Sequence, residues 1–167
     1  MIHIYTGNGK GKTTSCLGLA LRAQGAGLKV FIGQFLKCGN TSELNALKHL
    51  KGITIEQYGR KKFIKPSPCV EDIKSAETGL CRINKIVAEK KHDLVILDEI
   101  NIALHFKILK LNDVMHILKS APKTMDLVLT GRNAPKELLE IADLVSEIKE
   151  IKHYYKNGKK ARKGIEF

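Results

Sequence analysis

Thr6-Gly7-Asn8-Gly9-Lys10-Gly11-Lys12-Thr13-Thr14 decides how the rest of this chain is read. It follows a short alternating apolar run, residues 2–5, and precedes Cys16-Leu17-Gly18-Leu19-Ala20-Leu21, which reads as a helix. Strand, glycine-rich loop, Lys-Thr and helix form the context in which a phosphate-binding loop works. The glycines let successive backbone N–H groups turn toward phosphate oxygens, and the helix N-terminus adds its positive end. Lys12 adds a full charge, and Thr13 is placed to set its hydroxyl on a phosphate-bound magnesium ion. The strict pattern asks for glycine five positions before Gly11, where this chain has Thr6. Gly7 and Gly9 restore the flexibility one step later.

Outward from the loop, helix and strand patterns alternate. A helix is expected over residues 12–26, closed by Gly25 and Gly27. Residues 29–35 read as a strand, apolar on both faces as a buried parallel strand is. A helix capped by Thr41 or Ser42 runs to about residue 50, and a short strand covers 53–57. Residues 58–70 hold Gly59, three consecutive basic residues, Pro66 and Pro68, a composition that suits a binding loop. A long helix covers 71–91, with apolar residues at 73, 76, 80, 83, 86 and 87 keeping the helical period. Leu94-Val95-Ile96-Leu97 then leads as a buried strand into Asp98-Glu99. Short helices at 100–106 and 111–119, a strand at 127–130, a helix at 135–141 and a strand at 143–151 complete the pattern. The remaining residues, 152–167, are basic.

This alternation defines one α/β domain, residues 1–167, of the P-loop NTPase (RecA-like) class: a mainly parallel sheet flanked by helices. Ligands of such sheets sit at the carboxyl ends of the strands. The phosphate loop, Gln34-Phe35-Leu36-Lys37, Asp98-Glu99 and Thr130-Gly131-Arg132 all fall at strand ends, so they should converge. The carboxylates resemble a Walker B segment, and spacing alone leaves open which of the two serves a metal. Arg132 can meet a phosphate or cap local structure.

Composition sets further bounds. Hydrophobic residues make up 43% of the 167, enough to fill a single core. No run is long enough to span a membrane and no signal peptide is apparent, so a cytoplasmic protein is expected. The four cysteines form no Cys-x-x-Cys pair, and His105, His116 and His153 are not spaced as a metal cluster, so neither zinc nor a disulfide framework is expected. Cys16 suits a buried helix face. The net charge of +12 fits an anionic partner, whether polyphosphate, nucleic acid or a phosphate-bearing cofactor, and equally a solvated lysine-rich surface.

Taken together, these residues resemble the P-loop corrinoid adenosyltransferases over essentially the whole chain. The loop at 6–14 is similar to the family's own variant, which accounts for the missing first glycine. Gln34-Phe35-Leu36-Lys37, Leu97-Asp98-Glu99-Ile100-Asn101 and Leu129-Thr130-Gly131-Arg132 follow in order. So does the ending, from Ala142-Asp143-Leu144-Val145-Ser146-Glu147 through Lys152-His153 to Gly164-Ile165-Glu166. The resemblance implies that cobalt(I) of a reduced corrinoid, cobalamin or a precursor, attacks the 5′ carbon of ATP and that triphosphate leaves. It implies ATP binding by Gly7, Asn8, Gly9, Lys10, Gly11, Lys12, Thr13 and Thr14, with Arg22 reaching the nucleotide. It further implies catalytic roles for Lys12 and Glu99, and Mg2+ on Thr13 and Glu99. An aromatic wedge that displaces the corrinoid's lower axial ligand corresponds to Phe63, although the family's second aromatic position is Lys65 here. A reductase and a homodimer are implied as partners. Relatives with an N-terminal extension fold it over the site. This chain starts only a few residues before the loop, so a partner subunit or the basic tail is expected to serve instead. The competing reading is a RecA-like ATPase acting on nucleic acid. It is disfavoured because aromatic residues are only 5% and tryptophan is absent, which leaves few platforms for base stacking.

Overall fold

Six parallel strands form the centre of the computed structural model, which describes residues 1–39, 41–60 and 68–166. In chain order they are β1 (Ile2–Thr6), β2 (Val30–Phe35), β3 (Ile53–Tyr58), β4 (Leu94–Asp98), β5 (Asp126–Thr130) and β6 (Leu144–Glu147). Across the sheet the order is β3-β2-β4-β5-β1-β6. One strand, β5, therefore separates the strand feeding the phosphate loop from the strand carrying Asp98. The helices are α1 (Lys12–Gly25), α2 (Ser42–Leu47), α3 (Val70–Glu89), α4 (Ile100–His105), α5 (Leu111–Ser120) and α6 (Lys136–Ile141).

Both faces of the central strands are apolar because each residue step crosses the sheet. Phe31, Phe35, Val95, Leu97, Leu127 and Leu129 pack with Ile83, Ile86 and Val87 of α3 and Val114, Ile117 and Leu118 of α5. Val30, Ile32, Leu94, Ile96 and Val128 face the other way, onto Cys16, Ala20 and Ala23 of α1. The small residues on that stripe let α1 lie close to the sheet, which fixes its N-terminus at the strand ends. All four cysteines are free thiols, and burial pushes the Cys16 thiol well up. Among the described residues no helix is long and apolar enough to cross a membrane.

The pattern reading misplaced some ends. The helix expected to residue 91 stops at Glu89, because Lys90 takes a left-handed C-cap with φ 52°. The strand expected over 143–151 pairs only as Leu144–Glu147. Its partner β1 ends at Thr6, so Ile148 has no further strand to join and instead meets the phosphate loop.

Candidate active site

The loop after β1 owes its glycines to the chain leaving β6. Thr6 still pairs in the strand, opposite Glu147, so the turn begins at Gly7, where φ is 94°. A Cβ on Gly7 would lie 2.4 Å from the Ile148 carbonyl oxygen, and one on Gly9 would lie 2.8 Å from the same atom. The Ile148 N–H donates to the Thr6 carbonyl at 2.8 Å, and the Gly9 N–H donates to the Ile148 carbonyl at 2.7 Å. The glycines are thus needed one residue later than the strict motif places the first. Gly11 caps α1 with no side-chain hydrogen bond, which leaves the first N–H groups of the helix available to an anion. The Lys12 ammonium donates to the carbonyls of Gly7 at 2.8 Å and Gly9 at 2.6 Å. Burial, and then the charge of Arg132, draw its pKa down.

Adjacent carboxylates at the end of β4 have opposite surroundings. Asp98 is fully buried and accepts four hydrogen bonds. Oδ1 takes the hydroxyls of Thr13 (2.9 Å) and Thr130 (2.6 Å); Oδ2 takes Gln34 Nε2 (3.1 Å) and Lys37 Nζ (2.7 Å). Glu99 adopts a left-handed conformation with φ 62°, its N–H fixed by Thr130 Oγ1 at 3.0 Å. That turn sends its side chain into the cleft, where the carboxylate has no hydrogen-bond partner among the described residues. Burial, reinforced by Asp98, raises its pKa.

Positive φ marks the exit of every strand that builds this edge: Gly7 after β1, Leu36 after β2, Glu99 after β4 and Gly131 after β5. Such conformations cost non-glycine residues about 1 kcal/mol or more and persist where surroundings enforce them. At Gly131 a Cβ would meet Asn101 Cβ at 3.0 Å, while Asn101 Nδ2 donates to the Gly131 carbonyl at 3.2 Å. This contact ties the exit of β5, and with it Arg132, to α4.

These exits frame a cleft of about 920 Å³ lined by residues 8–14, Lys37, Glu99 and Arg132. The tail supplies another wall through His153, Gly164, Ile165 and Glu166. Lys10 secures that wall. Its Nζ donates to Tyr154 Oη at 2.8 Å, the Ile165 carbonyl at 2.9 Å and Glu166 Oε1 at 3.0 Å, and the Tyr154 hydroxyl also bonds Glu166. Chiefly through that hydroxyl, the Glu166 pKa falls to about 2.

Of the residues singled out from sequence, Asn8 through Thr14 and Glu99 converge here. Gly7 holds Lys12 from behind, and Lys10 turns to the tail. Arg22 is exposed in the last turn of α1 and does not line the cleft, lying about 15 Å along the helix from Lys12 at 1.5 Å per residue. Phe63 lies outside the described residues. Lys37, Thr130, Tyr154 and Glu166 were given no individual role from sequence; only the placement of the first two at strand ends pointed to them. A separate groove of about 520 Å³ between α3 and α5 carries Cys81 and His116. Among the described residues no three His, Cys, Asp or Glu side chains gather as a metal-holding group.

Sequence comparison bears on what this site does. The family model described as ATP:corrinoid adenosyltransferase BtuR/CobO/CobP matches residues 1–167. A corrinoid adenosyltransferase of Sinorhizobium sp is 34% identical, covering 100% of this chain and 80% of its own length. One from Pseudomonas aeruginosa is 35% identical over 98% of this chain and 82% of its own. One from Escherichia coli K12 is 34% identical over 100% and 85%. The nucleic-acid ATPase reading finds no support in these matches.

Proposed function

This chain belongs to the ATP:corrinoid adenosyltransferase family, and from that premise we propose that its cleft holds ATP so that the triphosphate departs as one piece. The reaction transfers the 5′-deoxyadenosyl group to a corrinoid. The cobalt(I) lone pair forms the bond to C5′. The C5′–O bond breaks with its electrons passing to the triphosphate, and cobalt ends formally as cobalt(III). The nucleophile arrives with the substrate, so the chain needs none of its own. Its tasks are to align C5′ with cobalt, to exclude water and to stabilise a highly charged leaving group.

The observation that most supports this reading is the crowd of cationic groups around one anion-sized space. Lys12, the free N–H groups at the start of α1 and Arg132 meet there; of the lining carboxylates Glu43, Glu99 and Glu166, the last is paired with Lys10. Glu99 fits a different task. A half-buried carboxylate beside Asp98, with no donor among the described residues, suits a hard divalent cation. Thr13 and Glu99 would hold Mg2+, which when bound supplies Lewis-acid neutralisation of the triphosphate. Phe63 remains the residue proposed to displace the corrinoid's lower ligand. A reductase delivering cobalt(I) and a homodimeric state complete the proposal and rest on the resemblance.

The test is anaerobic turnover with Lys12→Ala and Arg132→Ala. Loss of a preorganised group that stabilises transition-state charge costs about 10²–10³ in kcat. Lys12→Ala is expected in that range and Arg132→Ala, being exposed, below it. Turnover unaffected by Lys12→Ala would refute the assignment of the leaving group to this loop.

A further inference from the structure

P-loop nucleotide sites use the loop Ser/Thr hydroxyl and a strand-tip Asp carboxylate together to hold a divalent cation. In this chain a cation of the protein already bridges that pair. Lys37 Nζ lies 2.7 Å from Asp98 Oδ2 and 3.1 Å from Thr13 Oγ1. It is delivered by Leu36, whose φ of 59° swings the chain around the end of β2 and over the neighbouring strand tip. Asp98 has no capacity left, since Thr13, Thr130 and Gln34 occupy its remaining acceptor positions. Lys37 does have capacity. An ammonium has three N–H donors, and two are committed. The side chain is 26% exposed, and that exposed part lines the cleft on the same side as Lys12 and Glu99.

We propose that Lys37 is a triphosphate-binding residue: Asp98 and Thr13 hold its ammonium in place, and its remaining N–H donates to a triphosphate oxygen of ATP. It thereby carries part of the charge that a metal held by loop hydroxyl and strand-tip Asp carries in other P-loop sites. The inference rests on the reading that this cleft holds the triphosphate. It also divides the two carboxylates by role. Asp98 positions a lysine, and Glu99 is the carboxylate left to join Thr13 on a metal ion.

A purely structural role for Lys37, as counter-ion to a buried Asp98, is the rival explanation. The two separate in a binding experiment with inorganic triphosphate in EDTA, read by titration calorimetry, with folding followed by circular dichroism. Wild type is expected to bind without metal. Lys37→Met should weaken binding about tenfold or more, the value of a charged hydrogen bond. The double variant Lys37→Met/Asp98→Asn removes the uncompensated carboxylate along with the lysine. It should stay as weak as the single variant, because the donor is still missing. Return of the double variant to wild-type affinity would overturn the proposal, and so would wild-type binding that appears only with Mg2+. If Lys37→Met fails to fold, the double variant carries the test alone. Lys12→Ala separates the layers. If it too binds normally, the reading of the cleft has failed. If only it is weak, the Lys37 inference has failed by itself.

Discussion

Removing one buried hydroxyl should disturb both carboxylates at once. Thr130 Oγ1 donates to Asp98 Oδ1 at 2.6 Å and accepts the Glu99 N–H at 3.0 Å, and the residue is fully buried. Thr130→Val keeps the shape and deletes both bonds. The bond to the carboxylate contributes about 1.5–3 kcal/mol and the orphaned N–H costs about 1–3 kcal/mol. Asp98 retains three other donors, which softens its share, so the net destabilisation should be about 2–4 kcal/mol. Thr130→Ser keeps both bonds and loses one methyl, about 1 kcal/mol. Urea unfolding of the nucleotide-free protein reads the difference as a shift in midpoint at constant slope. Thr130→Val within about 0.5 kcal/mol of wild type, the ordinary range for innocuous surface changes, would refute the reasoning. So would Thr130→Ser costing as much as Thr130→Val.

Three further outcomes are expected. Gly7→Ala should damage folding and triphosphate binding more than Gly11→Ala. Both positions have positive φ, but only at Gly7 does the new Cβ meet an atom, the Ile148 oxygen at 2.4 Å; equal losses in melting temperature would contradict this. Glu99→Gln should stabilise the metal-free protein at neutral pH. The folded Glu99 pKa is raised, so this residue favours folding below the ordinary glutamate range and loses that contribution as pH rises; the gain from Gln, measured as melting temperature, should vanish on acidification. Glu166 has the opposite sign. Its depressed pKa means the tail contact is intact above the usual glutamate range and is lost as pH falls toward about 2. Faster hydrogen exchange over residues 154–166 should mark that loss, and Lys10→Ala should reproduce it at neutral pH.

Much of this architecture is legible because the sequence repeats one physical rule. Val30 through Ile32 and Leu94 through Leu97 are apolar at every position, which demands cover on both faces and hence a parallel sheet. Gly7, Gly9, Gly11 and Lys12 announce an anion site through backbone freedom and charge. What stayed hidden depends on single backbone angles or on contacts distant in sequence. Asp98 and Glu99 are chemically alike and adjacent, and only the φ of 62° at Glu99 decides that one is buried and saturated while the other opens on the cleft. Leu36 bears no mark of its left-handed turn, so Lys37 could be placed at a strand end but not on Asp98. Lys10 sits inside the phosphate motif, where the sequence points it at the nucleotide. Its pairing with Glu166, 156 residues away, lies in the basic tail expected to cover the site, and no local pattern marks which lysine of the loop that tail meets.

The central claim is triphosphate release coupled to cobalt alkylation, and product analysis under anaerobic conditions tests it most directly. Protein, Mg2+, ATP and chemically reduced cobalamin would be mixed, with the cobalt spectrum and the phosphate products followed together. A light-sensitive alkylcobalamin appearing in step with equimolar inorganic triphosphate, both lost in Lys12→Ala, is the expected result. ADP and orthophosphate formed without any change at cobalt would contradict it.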